Sequence, residues 1–145
     1  MYNIIQEMIE MNAREEINIE PTPNSGMGKH LICNINYIQK IEILSDLNKI
    51  ADILDIICKY NELNATQSLY NNNREENDGC TMIYLLTTGH ISIHTFPETQ
   101  SLTFDLYLYT NYCNQYDSGF ILIHEFLVEA FQGGNFSSNY KIIER

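Results

Sequence analysis

Two histidines and a serine alternate along one short segment of the chain, as His90, Ser92 and His94. Histidine nitrogens are common metal ligands, so a metal site is the first chemistry to consider. The alternation indicates a strand, however, and four residues of strand extend over about 13 Å, which is too far for two ligands of one ion. On residue types alone, the simplest interpretation is a polar, solvated face of a sheet.

Strand geometry divides this segment into two faces. Successive side chains of a strand point to opposite sides of the sheet, so Ile91 and Ile93 are predicted to enter the core. His90, Ser92 and His94 are then predicted to lie together on the opposite face.

The rest of the sequence predicts the sheet and helices that would position this segment. Alternating or β-branched runs predict strands over residues 30–36, 81–87, 90–96, 102–109 and 140–144, with at most one more short strand at 66–70. Apolar stripes with helical spacing predict helices over residues 2–13, 45–60 and 118–131. Ser45 and Ser118 are the predicted N-caps, and Gly133-Gly134 is the predicted stop of the last helix. The order β-α-β-β-β-α-β after the first helix is typical of an α+β domain, a two-layer sandwich with helices on one face of an antiparallel sheet.

The chain is predicted to divide into an N-terminal helical extension and linker over residues 1–25 and one domain over residues 26–145. Pro21, Pro23 and Gly26 indicate the linker. The helix of the extension is expected either to pack on a neighbouring molecule or to cover an edge of the sheet.

The composition limits the partners of the protein. A formal net charge of −11 weighs against nucleic acid and suits cationic ligands such as a sulfonium or a polyamine, although an acidic surface also serves solubility alone. No apolar run approaches the roughly 18 residues of a membrane span and the polar start is not a secretory signal, so a cytoplasmic location without membrane contact is expected. The four cysteines contain no C-x-x-C pair, so neither a zinc site nor a disulfide framework is expected, and Cys33 and Cys58 are predicted core residues.

The segment from Thr87 to Glu98 resembles the processing motif of the short, prokaryotic-type S-adenosylmethionine decarboxylases, usually Glu-Ser-His-(hydrophobic)-(Ser/Thr)-Ile-His-Thr-Trp-Pro-Glu. Three other segments resemble the family in the same order along the chain, namely Gly28–Ile32, Glu125–Ala130 and Tyr140–Glu144. The resemblance covers roughly residues 26–145 and implies the two-layer sandwich of that family.

The resemblance implies a reaction that begins with self-cleavage. In this family the chain cuts itself before a serine by an acyl shift to the serine hydroxyl, and the serine becomes a pyruvoyl group. The pyruvoyl carbonyl then forms a Schiff base with the substrate amine and serves as the electron sink for decarboxylation. The pathway implied is polyamine (spermidine) biosynthesis.

The positions that carry this chemistry in the family are altered here. Gly89 occupies the position of the serine, and Thr88 occupies that of the glutamate before it. His94 matches the histidine that assists processing. The proton-donor cysteine aligns with Tyr109 without gaps, whereas a bulge would bring Cys113 there instead. Because glycine has no hydroxyl, the acyl shift cannot begin at residue 89, and no pyruvoyl cofactor is expected in this form.

Four further residues are predicted to bind a ligand. Glu98 closes the motif, and Ser92 lies within it. Asp105 and Tyr107 would share one strand face with Tyr109, where the alternative role is ordinary cross-strand packing.

The sequence thus predicts a homodimeric, uncleaved pseudoenzyme of the S-adenosylmethionine decarboxylase family. Its expected partners are an adenosyl or polyamine ligand, or an active homologue that it regulates. Two alternatives stay open. One is an active decarboxylase whose serine at position 89 was replaced to block processing, and the other is a non-catalytic structural or oligomerisation module.

Overall fold

A computed structural model describes residues 1–14, 28–71, 75, 78–109, 117–135 and 137–144. In the first of these ranges, side chains are described for residues 1–11 only. The described elements are, in chain order, α1 (Tyr2–Arg14), β1 (Gly28–Ile35), α2 (Leu47–Tyr60), β2 (Ala65–Tyr70), β3 (Thr81–Leu86), β4 (Gly89–Phe96), β5 (Ser101–Tyr109), α3 (Ser118–Phe131) and β6 (Asn139–Glu144). Two short 3-10 turns, Ile41–Ser45 and Pro97–Thr99, precede α2 and follow β4.

The strands form one sheet in the order β2-β3-β4-β5-β1-β6, with every neighbouring pair antiparallel. The buried side chains of the three helices and of one face of the sheet form a single hydrophobic core. The predicted α+β fold, a two-layer sandwich with helices on one face of an antiparallel sheet, is therefore confirmed. The predicted short strand near residues 66–70 exists as β2, which lies at one edge of the sheet.

The alternation predicted for the histidine segment is confirmed. Ile91 and Ile93 are fully buried against the helices, whereas His90, Ser92 and His94 lie on the other side of the sheet. We call the side of the sheet opposite the helices the outer face. Because β4 is the third of six strands, its outer-face residues lie near the middle of this surface.

The predicted N-cap of α2, Ser45, is wrong. Ser45 ends the preceding 3-10 turn, and Asp46 is the cap. Its Oδ1 accepts hydrogen bonds from the backbone N–H groups of Asn48 (3.1 Å) and Lys49 (3.2 Å). The hydrogen bond from Lys49 is the main cause that lowers the pKa of the Asp46 carboxyl. The extended backbone at Asp46 is what an N-cap requires.

The predicted N-cap of α3, Ser118, is also wrong, because Ser118 is the first helical residue. Asp117 precedes the helix, and its carboxylate accepts a hydrogen bond from the buried Lys29 Nζ at 2.8 Å instead of from the helix backbone. The predicted stop is confirmed. Gln132 adopts the left-handed conformation with φ 52°, and the Gly133 N–H donates to the Val128 carbonyl at 2.8 Å.

The N-terminal helix α1 lies in the helical layer. Its Met8 is buried in the core, and α1 packs mainly on α3, with further contacts to α2, instead of along an edge of the sheet. The predicted linker falls almost entirely outside the described residues. None of the described helices is both long enough and apolar enough to cross a membrane.

Candidate functional site

The positions that the sequence resemblance aligns with the cleavage site lie at the end of the β3–β4 hairpin. Thr87 and Thr88 form the turn, and Gly89 begins β4. The neighbouring strand β5 fixes this turn through Tyr109. The Tyr109 N–H donates to the Thr88 carbonyl at 2.9 Å, and its phenol donates to the Thr87 carbonyl at 3.1 Å. The structure therefore brings Thr88, Gly89 and Tyr109 together, and their roles in processing stay predictions.

The backbone conformation at Gly89 favours glycine. Its φ is +155°, a value that L side chains rarely adopt. A Cβ at this position would overlap the carbonyl oxygen of Tyr107 on β5 and would lie 2.7 Å from the carbonyl carbon. A serine therefore requires the β4 or β5 backbone to shift.

A cluster of polar and aromatic side chains lies on the outer face next to this hairpin end. The rings of His30, His90 and Tyr107 come from three adjacent strands, and their centroids are 5.7 to 6.4 Å apart. Asp105 connects His30 on β1 to Ser92 on β4. Its Oδ1 is 3.2 Å from His30 Nε2, and its Oδ2 accepts a hydrogen bond from Ser92 Oγ at 3.3 Å. We call these five residues the outer-face cluster.

The outer-face cluster combines aromatic rings with a carboxylate that is only 30% exposed. Ring faces and a partly buried carboxylate attract organic cations, so the chemistry of the cluster suits a positively charged ligand. The sequence predicted Ser92, Asp105 and Tyr107 as ligand-binding residues, and the structure places all three here. Their role in binding stays a prediction.

His30 was not among the predicted site residues. The alternation in β1 does place it opposite the buried Leu31, so its face could be read from the sequence. The residues that His30 contacts on other strands could not be predicted, because they depend on the pairing of His30 with Tyr107 across β1 and β5.

His94 and Glu98 lie elsewhere. Their groove of about 770 Å³ is at the opposite end of β4, where His94 Nδ1 is 3.1 Å from Thr81 Oγ1. Five residues of strand separate His94 from Gly89, roughly 17 Å. Within one chain the structure therefore does not bring His94 and Glu98 to the hairpin end. Cys113 lies outside the described residues.

Cys33, Cys58 and Cys80 are buried within the described part of the chain. Burial raises the pKa of the Cys33 thiol to about 12 and that of Cys58 to about 11, so neither thiol ionises at neutral pH. Both are core residues, as predicted. The described ranges also contain no group of three or more His, Cys, Asp or Glu side chains that could hold a metal ion.

The fold and the site together define an α+β two-layer sandwich whose outer face carries a polar cluster beside a tight hairpin end. A similar fold occurs in the crystal structure of the adenosylmethionine decarboxylase from Aquifex aeolicus VF5, with a TM-score of 0.68 and 22% sequence identity over 83% of this chain and 92% of that one. No curated protein matches the sequence. A sequence model of the S-adenosylmethionine decarboxylase family matches residues 29–141. The chain belongs to the S-adenosylmethionine decarboxylase family.

The residues at the hairpin end do not fit the pyruvoyl group of this family. A pyruvoyl group formed in place needs a hydroxyl side chain at its own position. Gly89 has none, and the backbone there leaves no room for a Cβ. No step of a reaction can be assigned to such a group in this chain.

Proposed function

We propose that this protein is an uncleaved, non-catalytic member of the S-adenosylmethionine decarboxylase family that acts as a homodimer and binds a cationic ligand of polyamine metabolism. The proposal rests on the identity and backbone conformation of Gly89. Glycine lacks the hydroxyl that would begin self-cleavage. Its φ is +155°, and a Cβ at this position would overlap the Tyr107 carbonyl oxygen, so a larger residue requires backbone movement. The site is adapted to glycine, which favours a natural loss of processing over a single engineered change.

Two other positions support the loss of processing. Thr88 replaces the glutamate of the motif, and its side chain is buried, with no hydrogen-bond partner for Oγ1 among the described residues. Tyr109 holds the turn through both its N–H and its phenol. A tyrosine engaged in this way stabilises the uncut hairpin.

The distance between the two ends of β4 supports the proposed homodimer. If His94 and residue 89 belong to one site, as the family motif implies, they must come from two chains, because they are roughly 17 Å apart in one chain. The outer face also exposes apolar side chains beside the outer-face cluster. Leu69, Ile83 and Leu85 are 68%, 39% and 50% exposed, which favours a second copy covering this surface.

Mass spectrometry tests the uncut dimer. Under denaturing conditions we expect a single species at the intact mass of 16.9 kDa, because no hydroxyl is available at residue 89. Under native conditions we expect about twice that mass, with Leu85→Lys reducing the protein to the monomer. Fragments ending near residue 88 together with a borohydride-reactive carbonyl would refute the pseudoenzyme. A monomer at tens of micromolar protein would refute the dimer.

Calorimetry with S-adenosylmethionine and with putrescine tests ligand binding at the outer-face cluster. We expect at least one of them to bind, and Asp105→Asn to weaken that binding about tenfold, because asparagine keeps the hydrogen bonds but removes the charge that attracts a cation. Asp52→Asn is the matched control, since it removes the same charge from an exposed position on α2. Absence of heat with both ligands would favour a purely structural role for the fold.

A further inference from the structure

A second groove lies on the helical side of the molecule. It has a volume of about 910 Å³ and runs between α3 and β6, and six of its lining residues define it here: His124, Glu125, Glu129, Asn135, Asn139 and Tyr140. Tyr140 pairs with the buried Cys33, so its side chain is on the inner side of the sheet. The α3–β6 groove is therefore separated from the outer-face cluster by the sheet itself, and an inference about it does not rest on the proposed function.

His124 is the unusual residue of this groove. Its side chain is only 9% exposed, and its Nε2 is buried with no hydrogen-bond partner among the described residues. Burial lowers the pKa of His124, so the imidazole is neutral at pH 7. A buried polar nitrogen without a partner is costly, and such atoms call for an explanation.

Tyr140 packs against this imidazole. The two ring centroids are 4.8 Å apart with an angle of 50° between the rings. Tyr140 is itself 42% exposed and lies on an edge strand, so its ring can rotate outwards without opening the core. An incoming ligand can therefore reach His124 by moving one surface side chain.

The charge of the α3–β6 groove is negative. Glu125 and Glu129 are one helical turn apart and both exposed, and two like charges at this spacing repel each other. Glu129 already contacts the α-amino group of Met1, which leaves a carboxylate partner for an added cation at Glu125. No Lys or Arg is found among the described residues that line the groove. The lining therefore favours cations over anions.

We propose that the α3–β6 groove binds a primary alkylammonium ion, with its N–H donating to the Nε2 of His124, its charge facing Glu125 and its alkyl chain lying against the Tyr140 ring. A neutral imidazole protonated on Nδ1 presents Nε2 as an acceptor, which matches an ammonium donor. The Tyr140 ring adds an apolar contact with the alkyl chain. A ligand of this kind satisfies the buried nitrogen and gives the Glu125 carboxylate a counter-ion.

Long-range ¹H–¹⁵N spectra of the histidine side chains test this site in the full chain, which has four histidines. We expect n-butylammonium chloride, titrated at constant ionic strength, to give a saturable shift of the His124 Nε2 signal. The signal of His94, which lies in neither site, should not move. Shifts of His30 and His90 would report binding at the outer-face cluster, so the response of His124 alone tests this groove. Assignment of the His124 signal follows from its loss in His124→Phe. Glu125→Gln should weaken binding about fivefold, whereas Glu42→Gln, which removes an exposed charge from the turn before α2, should not.

Two further probes separate the contributions of the N–H donor and of the positive charge to binding. Tetramethylammonium has the charge without an N–H donor, and n-butanol has the alkyl chain without the charge, so both should bind at least about fivefold more weakly than n-butylammonium. Equal binding by either probe would overturn the proposal. It would also be overturned if His124 did not respond at about 100 mM n-butylammonium, or if the Glu125→Gln and Glu42→Gln variants bound alike.

Discussion

Replacing Gly89 with serine is expected to lower the free energy of unfolding by about 3 kcal/mol and to leave the chain uncut. Two costs add to this loss of stability. A residue with a Cβ is strained at φ +155°, and the Cβ overlaps the Tyr107 carbonyl oxygen on β5. The shift that relieves the overlap also moves Tyr109, which holds the turn through its N–H. A hydroxyl introduced in this way is not placed for attack on the preceding carbonyl.

Urea denaturation and intact mass measure the two outcomes. Gly119→Ala is the matched control, because its Cβ would have Met11 Sδ at 3.8 Å as its nearest neighbour, and it should change stability by no more than about 1 kcal/mol. Gly89→Ala should lose as much stability as Gly89→Ser, since the hydroxyl is not the cause. A serine variant that is as stable as the parent and cleaves itself would contradict the pseudoenzyme and favour the alternative of an active decarboxylase with a blocked serine.

The fold followed from the sequence because its signals are local. Ile91 and Ile93 alternate with polar residues, and this alternation alone places them in the core. The predictions of the helix N-caps were wrong for a reason that is also local. Ser45 and Asp46 are both good capping residues, and the choice between them depends on which one has the extended backbone at the end of the preceding turn.

The site followed from the sequence only in part, because its members meet through strand pairing. Gly89 and Tyr109 could be placed together by counting from the family motif. The contact of His30 with Asp105 could not be predicted, because it depends on the register in which β1 pairs with β5. The alternation placed His94 on the outer face correctly, but it does not show that His94 is roughly 17 Å from Gly89 along the same extended strand.

Thr95 is expected to be the motif residue on which stability depends most. It follows His94 along β4, but its side chain is on the inner side of the sheet and is 4% exposed. Its Oγ1 accepts a hydrogen bond from the Cys80 N–H at 2.6 Å and donates to the Leu44 carbonyl at 2.5 Å. One hydroxyl thereby connects β4 to the start of β3 and to the 3-10 turn before α2.

Replacing Thr95 with valine keeps the shape of the side chain and removes this hydroxyl. We expect the free energy of unfolding to fall by about 2 to 4 kcal/mol, because two buried backbone groups lose the partner that Thr95 provides. Thr103→Val makes the same chemical change on the outer face of β5, where it should alter stability by no more than about 0.5 kcal/mol. Urea denaturation measures both variants, and hydrogen exchange should locate the loss at the Cys80 amide. Equal stability of the two variants would mean that the side-chain shape that valine shares with threonine, and not the Thr95 hydroxyl, holds these segments together.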